Sequence, residues 1–136
     1  MQNKHAILSA PDVSEKLSRL RQTLRLQLDD FQKSCRQLAD SGPLIMGSYY
    51  QVYKTCSHEG CRCHKGEKHG PFPALSWTTE GKRGMVMVRA ADTAAVEQKA
   101  AAYKRYQKAM TRLRRLSTQI DTTLQDIRTL LTEEYR

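Results

Sequence analysis

Cys56, Cys61, Cys63 and His69 stand at C-x4-C-x-C-x5-H spacing within the stretch CSHEGCRCHKGEKHGP, which holds three of the chain's four cysteines and three of its four histidines. Three thiolates and one imidazole are donors that a zinc ion takes tetrahedrally, and a Cys3His set closes a structural site. Cys61 and Cys63 are too near in sequence for an easy disulfide, yet both can reach one ion. His69 is read as the fourth ligand because the Gly70-Pro71 turn that follows can hold its ring. His58, inside the first spacer, and His64, next to Cys63, stay open as alternatives for that position. A catalytic zinc needs an open coordination place and a nearby general base. Only Glu59 and Glu67 lie close in sequence, and no oxyanion-stabilising turn accompanies the cysteines. The reading is therefore a closed structural Zn(2+) site with no catalytic residues.

The cations around the cluster are the second chemical feature. Lys54, Arg62, Lys65 and Lys68 flank it, where they offset the charge of a three-thiolate zinc site or bind phosphate. Lys104, Arg105, Lys108, Arg112 and Arg115 form a further concentration; Lys104, Lys108, Arg112 and Arg115 step by four, four and three along one helical face. No acidic residue stands in i to i+4 register between Lys99 and Arg115. With a formal charge of +9 over 136 residues, the expected partner is nucleic acid or an anionic surface.

These groups need elements to position them. Residues from Asp12 to Asp40 read as a helix, with Asp12 as N-cap, Glu15 in capping-box register and Gly42-Pro43 as the stop. Leu17, Leu20, Leu24, Leu28, Phe31, Cys35 and Leu38 form its apolar stripe; the eleven-residue step from Leu17 to Leu28 reads as a stutter in a coiled coil. A second helix runs from Thr93 towards Glu134 behind Asp92 as cap, long enough for about 60 Å. Val96, Tyr103, Tyr106, Met110, Leu113, Ile120, Leu124, Ile127 and Leu131 keep a heptad rhythm that Lys99 and Ser117 interrupt. Between the helices, GPLIMGSYYQVYK reads as a strand, and FPALSWTTEGKRGMVMVRA reads as a hairpin turning at Glu80-Gly81-Lys82. Leu75, Trp77, Met85 and Met87, with Val86 or Val88, would supply its alternating apolar positions.

The expected fold is α+β, mainly α: a long antiparallel coiled-coil helical hairpin with a small β-rich zinc module inserted between its helices. Its parts are a tail at 1–11, a first helix at 12–42, the zinc module at 43–91 and a longer helix at 92–136. If Asp40 faces Thr93, the start of the first helix falls opposite about Asp121. Leu124, Ile127 and Leu131 are then left without an intrachain partner, so they are expected to mediate a homodimer or to dock on a larger protein. No run of about twenty apolar residues suggests a membrane span, and the N-terminal apolar stretch is too short for a secretory signal. The expected setting is cytoplasmic, where clustered thiols bind metal in preference to forming disulfides.

Residues 46–116 resemble a family of small bacterial proteins with the pattern C-x4-C-x-C-x2-G-x2-H-G-P, a strand hairpin and a helix with a Tyr- and Arg-rich segment. The pattern is met at Cys56, Cys61, Cys63, Gly66, His69, Gly70 and Pro71, while Phe72-Pro73 stands where the family has a pair of tyrosines. The resemblance implies metal binding. It also implies a mobile-element setting beside transposase or recombinase genes, and hence an accessory role in DNA transactions. The functional expectation is a zinc-stabilised DNA-binding accessory protein. The alternative is a coiled-coil adaptor that binds a larger protein without touching DNA.

Overall fold

The computed structural model describes residues 11–135 and is α+β, with two long helices and a three-stranded antiparallel sheet. Two compact units divide the chain: one joins the first helix to the chain from Ala109 onward, the other spans Ser41–Lys108. The long second helix, α2 (Thr93–Leu131), contributes to both. The expected N-terminal tail lies outside the described residues, apart from Pro11.

The first helix, α1 (Pro11–Ala39), already includes Pro11, so Asp12 is a first-turn residue and not the N-cap. Proline suits an opening turn because its fixed φ is helical and its missing N–H would have had no partner there. Asp12 and Glu15 instead pair along the helix with Lys16 (3.3 Å) and Arg19 (2.8 Å). The buried side of α1 runs through Leu17, Leu20, Leu24, Gln27, Phe31, Ser34 and Leu38 in unbroken steps of three and four. Leu28 is 47% exposed whereas Ser34 is 6% exposed. The expected stutter is therefore absent, because two polar residues occupy positions that an apolar count skips.

The same effect recurs on α2. Leu116 is buried beside the interrupting Ser117, and the inward positions continue as Ile120, Thr123, Ile127 and Leu130. Thr123 is 6% exposed, while Leu124 and Leu131 are 47% and 41% exposed. Within this unit the helices run antiparallel, as their contacts require. Arg112 reaches Asp30, Thr123 reaches Gln27, and Leu130 shares a groove of about 440 Å³ with Leu20. The expected pairing of Asp40 with Thr93 is thus displaced, and the start of α1 lies opposite the end of α2. The reason is that the first turns of α2 belong to the sheet unit, where the Ile45 N–H donates to the Lys99 carbonyl at 3.2 Å.

The sheet unit is built on β1 (Ser48–Lys54), β2 (His69–Thr79) and β3 (Lys82–Met87), in that order across the sheet. The β2–β3 hairpin turns where expected. Glu80 and Gly81 have φ of 51° and 76°, the pair of positive values that a two-residue hairpin turn matching strand twist demands. Ala74 and Leu75 in the middle strand are buried, as is Ala100 on α2. Met85 and Met87, expected as apolar packing positions, lie exposed on β3, an edge strand with one neighbour. Trp77 crosses to Gly84 on that strand; a Cβ there would stand 2.4 Å from the indole, so only glycine leaves room for the ring.

Candidate metal centre

Three local structures bring the cysteines and histidine together. Cys56 follows β1. Cys61 precedes a short 3-10 turn, Arg62–Lys65, which contains Cys63 and ends at Gly66 with φ of 111°. The turn is tied by N–H donation from Cys61 to the His58 carbonyl (3.1 Å) and from His64 to the Cys61 carbonyl (3.2 Å). His69 opens β2 and pairs in register with Lys54, just beyond an irregularity in β1 between Val52 and Lys54. Gly70, next to His69, has φ of 135°, and a Cβ would stand 2.8 Å from the Val52 carbonyl oxygen. Its lack of a side chain lets β2 approach β1 closely enough to present His69 to the loop.

The ligand atoms of Cys56, Cys61, Cys63 and His69 all lie within 4.8 Å of one another. The Cys56 and Cys63 sulfurs are 3.5 Å apart, and Cys61 Sγ is 3.3 Å from His69 Nε2. A tetrahedral thiolate site with metal–sulfur bonds near 2.3 Å separates its sulfurs by about 3.8 Å, so the cluster fits a metal ion with little adjustment. Cys63 is 2% exposed and forms the floor of the site. Among the described residues this is the one such group of three or more donors; His58 and His64 stand outside it.

The electrostatics divide the four donors. A hydrogen bond from the Cys63 backbone, helped by the sulfurs of Cys63 and Cys56, lowers the Cys61 thiol to about 6. Cys56 is lowered as well, chiefly by a backbone hydrogen bond at His58. Burial pushes the Cys63 thiol up. Hydrogen bonding to the Cys56 and Cys61 sulfurs raises His69. Without metal, Cys61 and Cys56 thus give up their protons more readily than free thiols, while Cys63 and His69 hold theirs more firmly than the free groups. Those are the protons that a bound cation displaces.

The expected basic residues fall into two groups. Lys54, Arg62, Lys65 and Lys68 are all exposed around the cluster, and none has an ion-pair partner among the described residues. Lys104, Arg105 and Lys108 on α2, in the same unit, and Arg115, in the other, are exposed and without such partners too. Arg112 differs. Its Nη2 lies 2.9 Å and 2.8 Å from the two carboxylate oxygens of Asp30, so it is not one of the free cations. Asp30 was missed because it is remote in sequence; only the pairing of helices reveals it. Arg83 on β3 was also missed, and it lines a groove with Lys104. Leu124 and Leu131, expected at an oligomer interface, are exposed, and Ile127 is half-buried.

Residues 13–98, from the first turn of α1 through the metal cluster into α2, match the family described as Domain of unknown function (DUF6788). The chain belongs to this family. The match takes in every ligand of the cluster and stops short of Lys104. No curated protein and no solved structure matches the chain. Among the described residues no helix is long and apolar enough to cross a membrane.

Proposed function

We propose that this chain is a zinc-stabilised nucleic-acid-binding accessory protein, with DNA as its partner. Zinc suits the donor set: three thiolates and an imidazole are softer than calcium or magnesium sites use, and four protein ligands leave no coordination place for a reacting water. The ion would hold the loop between β1 and β2, with Cys56, Cys61, Cys63 and His69 as its ligands. Its role is structural.

One observation carries the functional reading. Lys54, Arg62, Lys65, Lys68, Lys104, Arg105 and Lys108 are exposed and lack acidic partners within a single compact unit. Glu59 and Glu67 stand among the loop cations, yet no ion pair ties them to any of the seven among the described residues. Cations left without ion pairs are suited to phosphate contacts and counterion release. Arg115, in the other unit, is a further exposed cation suited to phosphate contact. The resemblance to the mobile-element family suggests a transposase or recombinase as the protein that it assists in the cytoplasm.

Binding of a labelled DNA duplex to zinc-loaded protein, measured over a range of salt, tests the proposal. Affinity should fall steeply with salt, and each of Lys65→Gln, Lys68→Gln and Lys108→Gln should reduce the log–log slope by about 0.9. Absent or salt-insensitive binding overturns it.

A second reading has its own observation. Leu124 and Leu131 are exposed on α2, and these apolar side chains suit a homodimer or an adaptor that docks on a larger protein. A monomer at micromolar concentration that captures no partner would count against it.

A further inference from the structure

A groove of about 320 Å³ lies within the sheet unit, where β2 and β3 meet α2. Its size falls near the lower end of the range of small-ligand sites, about 300–1,000 Å³. Ser48, Ser76 and Thr78 line it from the strands, with Arg83 on β3 and Lys104 on α2. The strand register explains why these side chains converge. Ser48 stands opposite Ser76, and Thr78 stands opposite Arg83. Ser76 and Thr78 are two residues apart, so all four share one face of the sheet.

The chemistry of this lining is one-sided. No aspartate or glutamate lines the groove. Among the described residues, neither Arg83 nor Lys104 has an ion-pair partner, and the three hydroxyls have no side-chain hydrogen bond. Two cations and three unused hydroxyl donors are thus gathered around one space. A neutral or cationic ligand would leave both charges uncompensated. A group with several anionic oxygens would take a guanidinium, an ammonium and hydroxyl hydrogens together.

We infer that this groove is a phosphate-binding pocket, in which Arg83 and Lys104 supply charge and Ser48, Ser76 and Thr78 supply directed hydrogen bonds. Arg83 suits the task because its planar fork meets two oxygens of one phosphate, whereas Lys104 acts as a point charge. The pocket distinguishes this site from the cations near the metal loop, which offer charge without hydroxyl donors fixed on a sheet. The proposed nucleic-acid function bears only on the source of the phosphate, which is a strand backbone on that reading; the pocket itself stands on its own lining.

The test uses full-length, zinc-loaded protein and two probes. Inorganic phosphate is titrated while the amide resonances of residues 76–78 and 83 are followed. A labelled single strand of about 12 nucleotides, within the footprint of small binding modules, is then titrated with phosphate as competitor. Phosphate should shift those resonances saturably. Arg83→Gln should weaken its binding roughly tenfold or more, and Ser76→Ala or Thr78→Val roughly threefold or more. Arg25→Gln, which removes the same charge from α1, should leave it unchanged.

The hydroxyl variants separate a built pocket from a charge patch, since they alter no charge. Silent hydroxyl variants, or phosphate shifts spread over every surface lysine, overturn the pocket even if the strand still binds. Saturable, Arg83-dependent phosphate binding with no binding of the strand or of the DNA duplex supports the pocket and assigns it to a free phosphate compound, while overturning the nucleic-acid reading. Phosphate that competes with the strand supports both.

Discussion

The Thr123 hydroxyl of α2 lies 2.9 Å from Gln27 Oε1 of α1, at an inward position where an apolar stripe would place two aliphatic side chains. The same hydroxyl lies 3.0 Å from the Gln119 carbonyl, so its single proton is shared between an acceptor on its own helix and one on the neighbouring helix. This contact favours one stagger of the two helices, because sliding one by a turn would take the half-buried Gln27 amide away from its partner. Thr123→Val should therefore cost about 1–2 kcal/mol, as it strands the Gln27 acceptor. Replacing both residues with leucine should recover or exceed the original stability while permitting other registers. Denaturant unfolding of the single and double variants measures the difference; equal losses in both would show that the hydrogen bond does not set the stagger.

Arg112 and Asp30 make a second polar contact across these helices, at 2.8 Å, but with side chains 64% and 39% exposed. Exposure screens the pair, so Asp30→Asn should cost less than about 1 kcal/mol. Its larger consequence should be electrostatic. Arg112→Gln should change the salt dependence of DNA binding less than Lys108→Gln, because Arg112 already has a carboxylate partner. Asp30→Asn should release Arg112 and steepen that dependence. Parallel salt titrations of the three variants decide the matter.

These two contacts also mark where sequence reading reached its limit. The cysteine spacing, the Glu80-Gly81 turn and both long helices were legible because each follows from local chemistry: ligand type, positive φ and a 3.6-residue period. The pairing of helices was not. Counting apolar residues placed Leu28 and Leu124 inward, but Gln27 and Thr123 take those places, since two polar groups that satisfy each other can be buried at little net cost. The stagger was misjudged because nothing local says that the first turns of α2 belong to the sheet. Arg83 was overlooked for a similar reason: its neighbours in the groove come from β1, β2 and α2.

Metal removal should act on the sheet unit first. Ser41–Lys108 has few large buried side chains, and Cys63 is the most completely buried of them. A chelator, or Cys63→Ser, should therefore melt the β signal and leave much of the helical signal, with about one zinc released per chain. Gly70→Ala offers a subtler test. Its Cβ would press on the Val52 carbonyl oxygen at 2.8 Å, and its φ of 135° disfavours alanine. The variant should keep all four ligands yet bind zinc more weakly, by displacing His69. Circular dichroism and metal content follow both changes; an unaltered zinc affinity in Gly70→Ala would show that β2 does not position the histidine.

The pH dependence of metal loading follows from which ligands hold protons when no ion is bound. Burial raises Cys63, and hydrogen bonding to the neighbouring sulfurs raises His69, so each holds its proton to a higher pH than the free group does. Zinc needs the thiolate and the neutral imidazole, and must displace those protons. Acid therefore opposes binding, and each displaced proton makes the apparent affinity fall about tenfold per pH unit. Cys61, lowered to about 6, is already a thiolate at neutral pH and adds to this dependence only as pH falls through that value. The apparent affinity should thus fall as pH drops from 8 to 7 and more steeply below about 6. Competition against a chromophoric chelator of known pH dependence measures the curve. A constant affinity across this range would exclude Cys63 and His69 from the ligand set.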